Sequence, residues 1–182
     1  MELTKKQIET LKRNNEEAKF ITREAIKEAL YILMEKKEFS EIKISEIIIK
    51  SGVSRSAFYR NYKTKDEILQ DTVNELHDLF LSKSGNSLQE NWELIFSILR
   101  ENKKKLDLII RAGLEHYLLH KFNENLDMKS GDDFKEAMNN GLIMNVLIYW
   151  AKCGMKDTDT EAAEKIVQAY QQMYKDLKSY SK

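Results

Sequence analysis

Apolar side chains recur along most of the chain at intervals of three and four residues, which is the spacing of one face of an α-helix. The first such stripe runs from Ile21 to Leu33, and Thr4 and Gln7 ahead of it have the form of a helix-capping box. The pattern leaves open whether residues 5–37 form one helix or an arm followed by a helix. No stretch alternates between apolar and polar residues, so the sequence predicts helices and no strands.

Two very short helices are predicted next, separated by a glycine. Ser45 can cap the first of them, and Gly52 can end it in the left-handed conformation. Ser54 can cap the second, which is predicted from Arg55 to about Asn61. Two helices joined by such a turn are typical of the helix-turn-helix motif, whose second helix enters the major groove of DNA.

Longer helices are predicted over the rest of the chain, beginning near Thr64, Leu88, Leu106, Phe134 and Ala162. Residues 106–122 are apolar almost all round, which predicts one helix buried on several sides. Residues 82–87 interrupt the pattern and are the best candidate for a linker.

Composition supports an all-helical protein, because the 182 residues include no proline and six glycines. The single cysteine, Cys153, excludes an intramolecular disulfide and a cysteine-based metal site. His116 and His120 have the spacing of metal ligands on a helix but no third ligand nearby, so we expect no metal. There is no apolar leader or membrane-length segment, which predicts a cytoplasmic protein without a membrane partner.

Charge is distributed unevenly along the chain. Thirty cationic and thirty acidic residues give no net charge, yet residues 43–65 contain six cations and one acid, Glu46, for a local charge of +5. Phosphate binding depends on such local contacts and not on global charge. An ordinary solvated helical hairpin in a charge-rich protein is the alternative explanation. The catalytic motifs of phosphate-binding loops, nucleophile elbows and zinc proteases are absent, so we expect neither an enzyme nor a cofactor.

Three stretches carry a recognisable pattern: Ser-Glu-Ile at residues 45–47, Ser-Gly-Val-Ser-Arg-Ser-Ala-Phe-Tyr-Arg-Asn-Tyr at 51–62, and Lys-Asp-Glu-Ile-Leu at 65–69. From Ile21 to Leu69 the chain resembles the N-terminal domain of the tetracycline-repressor (TetR/AcrR) family. Tyr62 stands where that family usually has phenylalanine. Ser56 and Asn61 also depart from its commoner residues, which leaves the operator sequence open.

The resemblance implies an all-α protein with an N-terminal three-helix DNA-binding domain, residues 1–66, and a C-terminal helical ligand-binding and dimerisation domain, residues 67–182. It implies a homodimeric transcriptional regulator, usually a repressor released by a small molecule. The implied partners are a double-stranded DNA operator, a second copy of the chain and a small-molecule ligand. The alternative is a helical dimer of the same fold that acts as a structural or protein-interaction factor without an inducer.

The positions that the resemblance and the local charge assign to DNA contact are Ser45, Ser54, Arg55, Ser56, Tyr59, Arg60, Asn61, Lys63 and Lys65. Among them Lys65, at the start of the fourth helix, is predicted to clamp a phosphate. Arg55 can reach the O6 and N7 atoms of a guanine with two hydrogen bonds.

The last two predicted helices resemble those with which family members dimerise, and apolar residues there follow the spacing of a helix–helix seam. The predicted dimer interface consists of Leu142, Val146, Trp150, Ala163, Ile166, Tyr170, Met173 and Leu177. Packing within one chain is the alternative. The candidate ligand-binding residues are Trp92, Phe96, His116 and Tyr117, for which ordinary core packing is the alternative.

Overall fold

The computed structural model describes residues 4–124, 126 and 133–180, and within these ranges every regular element is a helix. The α-helices are α1 (Lys5–Met34), α2 (Ile44–Ser51), α3 (Arg55–Asn61), α4 (Lys65–Lys83), α5 (Leu88–Glu101), α6 (Lys103–Arg111), α7 (His116–Phe122), α8 (Phe134–Lys152) and α9 (Asp159–Tyr180). A short 3₁₀ helix, Phe39–Glu41, precedes α2. The all-α prediction is confirmed.

The chain divides into two compact units, Met1–Asp71 and Thr72–Lys182, and the division falls inside α4. Residues 84–87 join α4 to α5 within the second unit, so the segment predicted as a linker does not separate the units. The assignment of DNA binding to residues 1–66 and of regulation to residues 67–182 stays a prediction.

Helix α1 is one continuous helix of 30 residues, which settles the alternative that its sequence pattern left open. The Gln7 backbone N–H donates to Thr4 Oγ1 at 3.3 Å, and the Thr4 N–H donates to Gln7 Oε1 at 2.8 Å, so the predicted capping box is present. Burial begins only in the second half of the helix. Ile26 and Leu30 are fully buried there, whereas all residues from 4 to 21 are exposed.

The helix-turn-helix forms by the local rules that its sequence predicts, with one exception. Gly52 ends α2 at φ +70°, and the Ala57 N–H donates to Ser54 Oγ at 3.1 Å, capping α3. However, α2 begins before Ser45, because the Glu46 carboxylate accepts from the Lys43 N–H at 3.0 Å. Ser45 therefore lies in the first turn of α2, and the prediction that it caps this helix is wrong.

A partly buried ionic cluster around Asp71 ties α1, the residue that follows α3, and α4 together. Arg23 binds the Asp71 carboxylate with two nitrogens, Nε at 3.1 Å from Oδ2, and the Tyr62 hydroxyl donates to the same oxygen at 2.5 Å. Lys27 Nζ lies 3.7 Å from Asp71 Oδ2. Burial opposes the charge of Arg23, but the contacts with Asp71 and Tyr62 outweigh it and raise the pKa of the guanidinium. Tyr62 thus makes a hydrogen bond to Asp71 that a phenylalanine at this position could not make.

The second unit is organised around aromatic side chains. Trp92 and Phe96 of α5 stack with ring centroids 5.6 Å apart, and Phe96 lies 4.7 Å from the Trp150 ring of α8. Arg100 Nε donates to Asp159 at 2.8 Å and so joins the end of α5 to the start of α9. These contacts lie inside the unit.

The single helix predicted over residues 106–122 is wrong, because two helices, α6 and α7, occupy this stretch. Gly113, at φ +69°, separates them, and the Leu114 N–H returns to the Ile109 carbonyl at 3.1 Å. This bond satisfies the end of α6 in the way that a left-handed glycine permits. The stretch is apolar almost all round because it contains two short helices, each with its own buried residues. These include Leu106 and Ile109 in α6 and Leu118 in α7.

Candidate nucleic-acid interface

Helix α3 buries one side and exposes the other. Phe58 is fully buried against the first unit's core, which turns Ser54, Arg55, Ser56, Tyr59 and Arg60 toward solvent. We call these five residues the α3 face. The Arg55 guanidinium lies 5.7 Å from the centroid of the Tyr59 ring, and the hydroxyls of Ser54 and Ser56 are 3.1 Å apart. The face therefore presents guanidinium and hydroxyl donors, which suit phosphate oxygens and base edges.

The positive charge of residues 43–65 is largely accessible. Lys43, Lys50, Arg55, Arg60 and Lys63 are all exposed. The one acid of this stretch, Glu46, hydrogen-bonds to the Lys37 ammonium and, through the other oxygen, to a backbone N–H. Lys37 and that N–H lower the pKa of Glu46, so its charge is paired with a cation from outside the stretch. The local excess of positive charge is thus preserved.

Two of the predicted DNA-contact residues, Asn61 and Ser45, lie outside the α3 face. Asn61 is half-buried, and its Nδ2 donates to the Ala57 carbonyl of its own helix at 2.8 Å. Its Oδ1 is buried, and no donor among the described residues reaches it. Ser45 is exposed on the first turn of α2, where a hydroxyl can meet a phosphate.

Lys65 is held by the loop before α2. Its Nζ hydrogen-bonds to the carbonyl oxygens of Phe39, Ser40 (3.1 Å) and Ile42 (2.9 Å), and it lies 4.5 Å from the centroid of the Phe39 ring. An ammonium has three N–H donors, and these carbonyls occupy all of them. This is not the arrangement that a phosphate clamp requires. The structure gives Lys65 a positioning contact that the sequence did not reveal, because nothing in the sequence shows three carbonyls converging.

A small, mainly apolar cavity of about 40 Å³ lies in the second unit. Its walls include Leu76, Leu106, Phe122 and Leu147, and the ring of His77 stands edge-on to Phe122 at 5.4 Å. His77 Nδ1 is buried without a hydrogen-bond partner among the described residues, and Asp78 Oδ1 lies 3.7 Å from it. His77 and Lys121 are thus the two polar side chains among otherwise apolar lining residues.

None of the four candidate ligand residues lines this cavity. Trp92 and Phe96 are buried in the aromatic stack, His116 is exposed, and Tyr117 packs on His116 with ring centroids 4.2 Å apart. The sequence predicts that His77 is inert, since its only signal there is a position on the apolar stripe of α4, and the structure places it on the wall of this cavity.

A shallow apolar groove runs between α8 and α9. It is lined by Leu142, Val146, Ile166, Ala169, Tyr170 and Met173, five of which belong to the predicted dimer interface. Two other predicted residues do not belong to a surface, because Trp150 is 5% exposed and Ala163 is fully buried within the unit. The side chain of Leu177 lies outside the described residues.

None of the helices in the described part of the chain has the length and apolarity that a membrane crossing requires. Within the same residues, no group of three or more His, Cys, Asp or Glu side chains is arranged to hold a metal ion.

Comparison with known proteins finds similarity to a curated protein and to a solved structure. No protein-family model matches the chain. The relative is an uncharacterised HTH-type transcriptional regulator, YxbF, from Bacillus subtilis (strain 168), 31% identical over 108 residues. That match covers 56% of this chain and 26% of the relative, so the chain spans about a quarter of the relative's length.

The solved structure is a TetR transcriptional regulator from Streptococcus agalactiae 2603V. It superposes with a TM-score of 0.54, at 19% identity, over 88% of this chain and 97% of its own. The resemblance seen in the sequence is thereby confirmed at the level of architecture, and the chain has the fold of a TetR transcriptional regulator.

Proposed function

We propose that this protein is a DNA-binding transcriptional regulator whose α3 face reads an operator. The observation that carries the proposal is the α3 face itself, which is exposed and rich in hydrogen-bond donors. Exposed cations surround it, and the one acid of residues 43–65, Glu46, is paired with Lys37. The TetR fold and the name of the Bacillus relative support it. A structural or protein-interaction factor of the same fold would have no need of such a surface.

The proposed regulator acts as a homodimer through the α8–α9 groove. Leu142, Val146, Ile166, Tyr170 and Met173 offer a continuous apolar strip on the outside of the unit. A two-fold contact uses one patch twice, so a self-complementary strip of this kind suits a dimer. We exclude Trp150 and Ala163 from this interface because the unit's own core already buries them.

The proposed repressor role rests on a ligand that binds beside His77, where the small cavity has to widen to admit it. The walls favour an apolar molecule, and the unpartnered Nδ1 favours one polar group that can hydrogen-bond with an imidazole. Compounds of this class that release the protein from DNA are expected to lose affinity in His77→Phe and to keep it in the control His116→Phe. The opposite result would move the site to the exposed histidine.

The DNA-binding proposal is tested by selecting bound duplexes from a random-sequence pool. We expect the wild type to enrich one sequence, and R55Q/R60Q to lose that enrichment. The control K152Q/K156Q also removes two positive charges, but from exposed positions of the second unit, and should enrich the same sequence as the wild type. If the wild type enriches nothing, or if both variants behave alike, the α3 face is not the reading surface.

A further inference from the structure

The first half of α1 is an unusual feature of the first unit. Residues 5–21 are helical, and all of them are exposed. Helices in proteins gain most of their stability by packing one face against something. The exposed residues include Leu11 and Phe20, at 48% and 62%. A binding partner along this half of α1 would supply the missing contact.

An open cleft between α1 and α3 shows which side of the helix such a partner would meet. Asn15, Lys19 and Thr22 of α1 line one wall, and Arg60 and Asn61 of α3 line the other. The acids of this half of α1 are absent from both walls. The cleft therefore combines two cations with neutral polar groups, which complements a phosphate backbone.

The cleft is continuous with the α3 face because Arg60 belongs to both. Lys12 precedes Lys19 by seven residues, two turns along the same side of the helix, about 10 Å away. Two further cations of this half, Lys6 and Arg13, lie on the side of the helix away from the cleft, at 100° per residue. A duplex lying on the α3 face would extend along the Lys12–Lys19 side of α1.

We propose that the exposed half of α1 is a second DNA-binding element, in which Lys12 and Lys19 contact phosphates flanking the sequence that α3 reads. This inference rests on the proposed function, since it requires a duplex on the α3 face. Each strand of a duplex presents one phosphate per about 3.4 Å of helix axis, so two ammonium groups about 10 Å apart meet different phosphates. Such contacts add affinity and set the register of the protein without reading bases.

The test compares two variants with equal net charge on the duplex that the wild type selects. K12Q/K19Q removes the cleft-side cations, and K6Q/R13Q removes two cations from the far side. Glutamine keeps the helix propensity of lysine and arginine, and circular dichroism checks that both variants stay helical. The measurement is log Kobs against log salt, with hydroxyl-radical footprints of each complex.

We expect K12Q/K19Q to flatten the salt slope by about 0.9 for each phosphate that the protein no longer neutralises, and to remove protection at the flanks of the footprint. K6Q/R13Q should leave the salt slope and the footprint unchanged. Equal slopes and footprints for the two variants would overturn this inference while leaving the proposed function intact. A wild type that binds no duplex would overturn both.

Discussion

In the first unit, the partner of each charged side chain, and not its charge alone, decides whether that charge is accessible. Lys65 and Lys63 differ by two positions, yet one ammonium lies among three carbonyls and the other is exposed. Glu46 is the only acid among six cations, and Lys37 pairs with it from outside the stretch. At the residue scale, the accessible charge of the surface depends on which cations are already bound.

Lys65→Ala tests the positioning contact. Because the ammonium satisfies the carbonyls of the loop at residues 39–42, its loss should lower the free energy of unfolding by about 1 kcal/mol and speed amide exchange in that loop. The salt slope of DNA binding should stay the same. A slope that flattens by about one unit, with stability unchanged, would show that Lys65 clamps a phosphate after all.

Whole elements follow from the sequence where local chemistry determines them. The caps at Thr4 and Ser54 and the turn at Gly52 depend on residues within four positions of one another, and the sequence predicted all three. The break at Gly113 was missed because apolar residues continue at helical spacing on both sides of it. Contacts distant in sequence, such as Tyr62 with Asp71, could not be predicted, since no pattern shows which elements meet.

Gly52→Ala tests the turn of the helix-turn-helix. Alanine at φ +70° is strained even though there is open space for its Cβ, so the free energy of unfolding should fall by about 1–2 kcal/mol. Thermal unfolding measures this, with Gly85→Ala as the control, because Gly85 has no positive φ and equally open surroundings. Equal effects of the two substitutions would mean that the left-handed turn is not what Gly52 provides.

The whole molecule is proposed to act as a dimer, and the structure shows what spacing and composition could not reveal about its predicted site residues. Spacing alone placed apolar residues on a seam of α9, but it could not separate the outward residue Ile166 from the inward residue Ala163. The candidate ligand residues show the same limit. Aromatic composition selected Trp92 and Phe96, whereas the cavity lies beside His77, where several helices converge.

Ile166→Glu and Ala163→Glu separate the two sides of α9. A carboxylate at Ile166 would lie in the groove, so the variant should remain helical but sediment as a monomer with most of its DNA affinity lost. A carboxylate at Ala163 would be buried without a partner and should unfold the second unit. If Ile166→Glu still sediments as a dimer, the interface lies elsewhere.

The central claim is that a chain without net charge binds DNA through one local basic surface. The most direct measurement is the salt dependence of wild-type binding to its selected duplex, followed by fluorescence anisotropy. A dimer that contacts roughly eight phosphates predicts a slope of log Kobs against log salt of about −7. A slope near zero would contradict the account, because it would mean that the exposed cations around α3 do not meet phosphates.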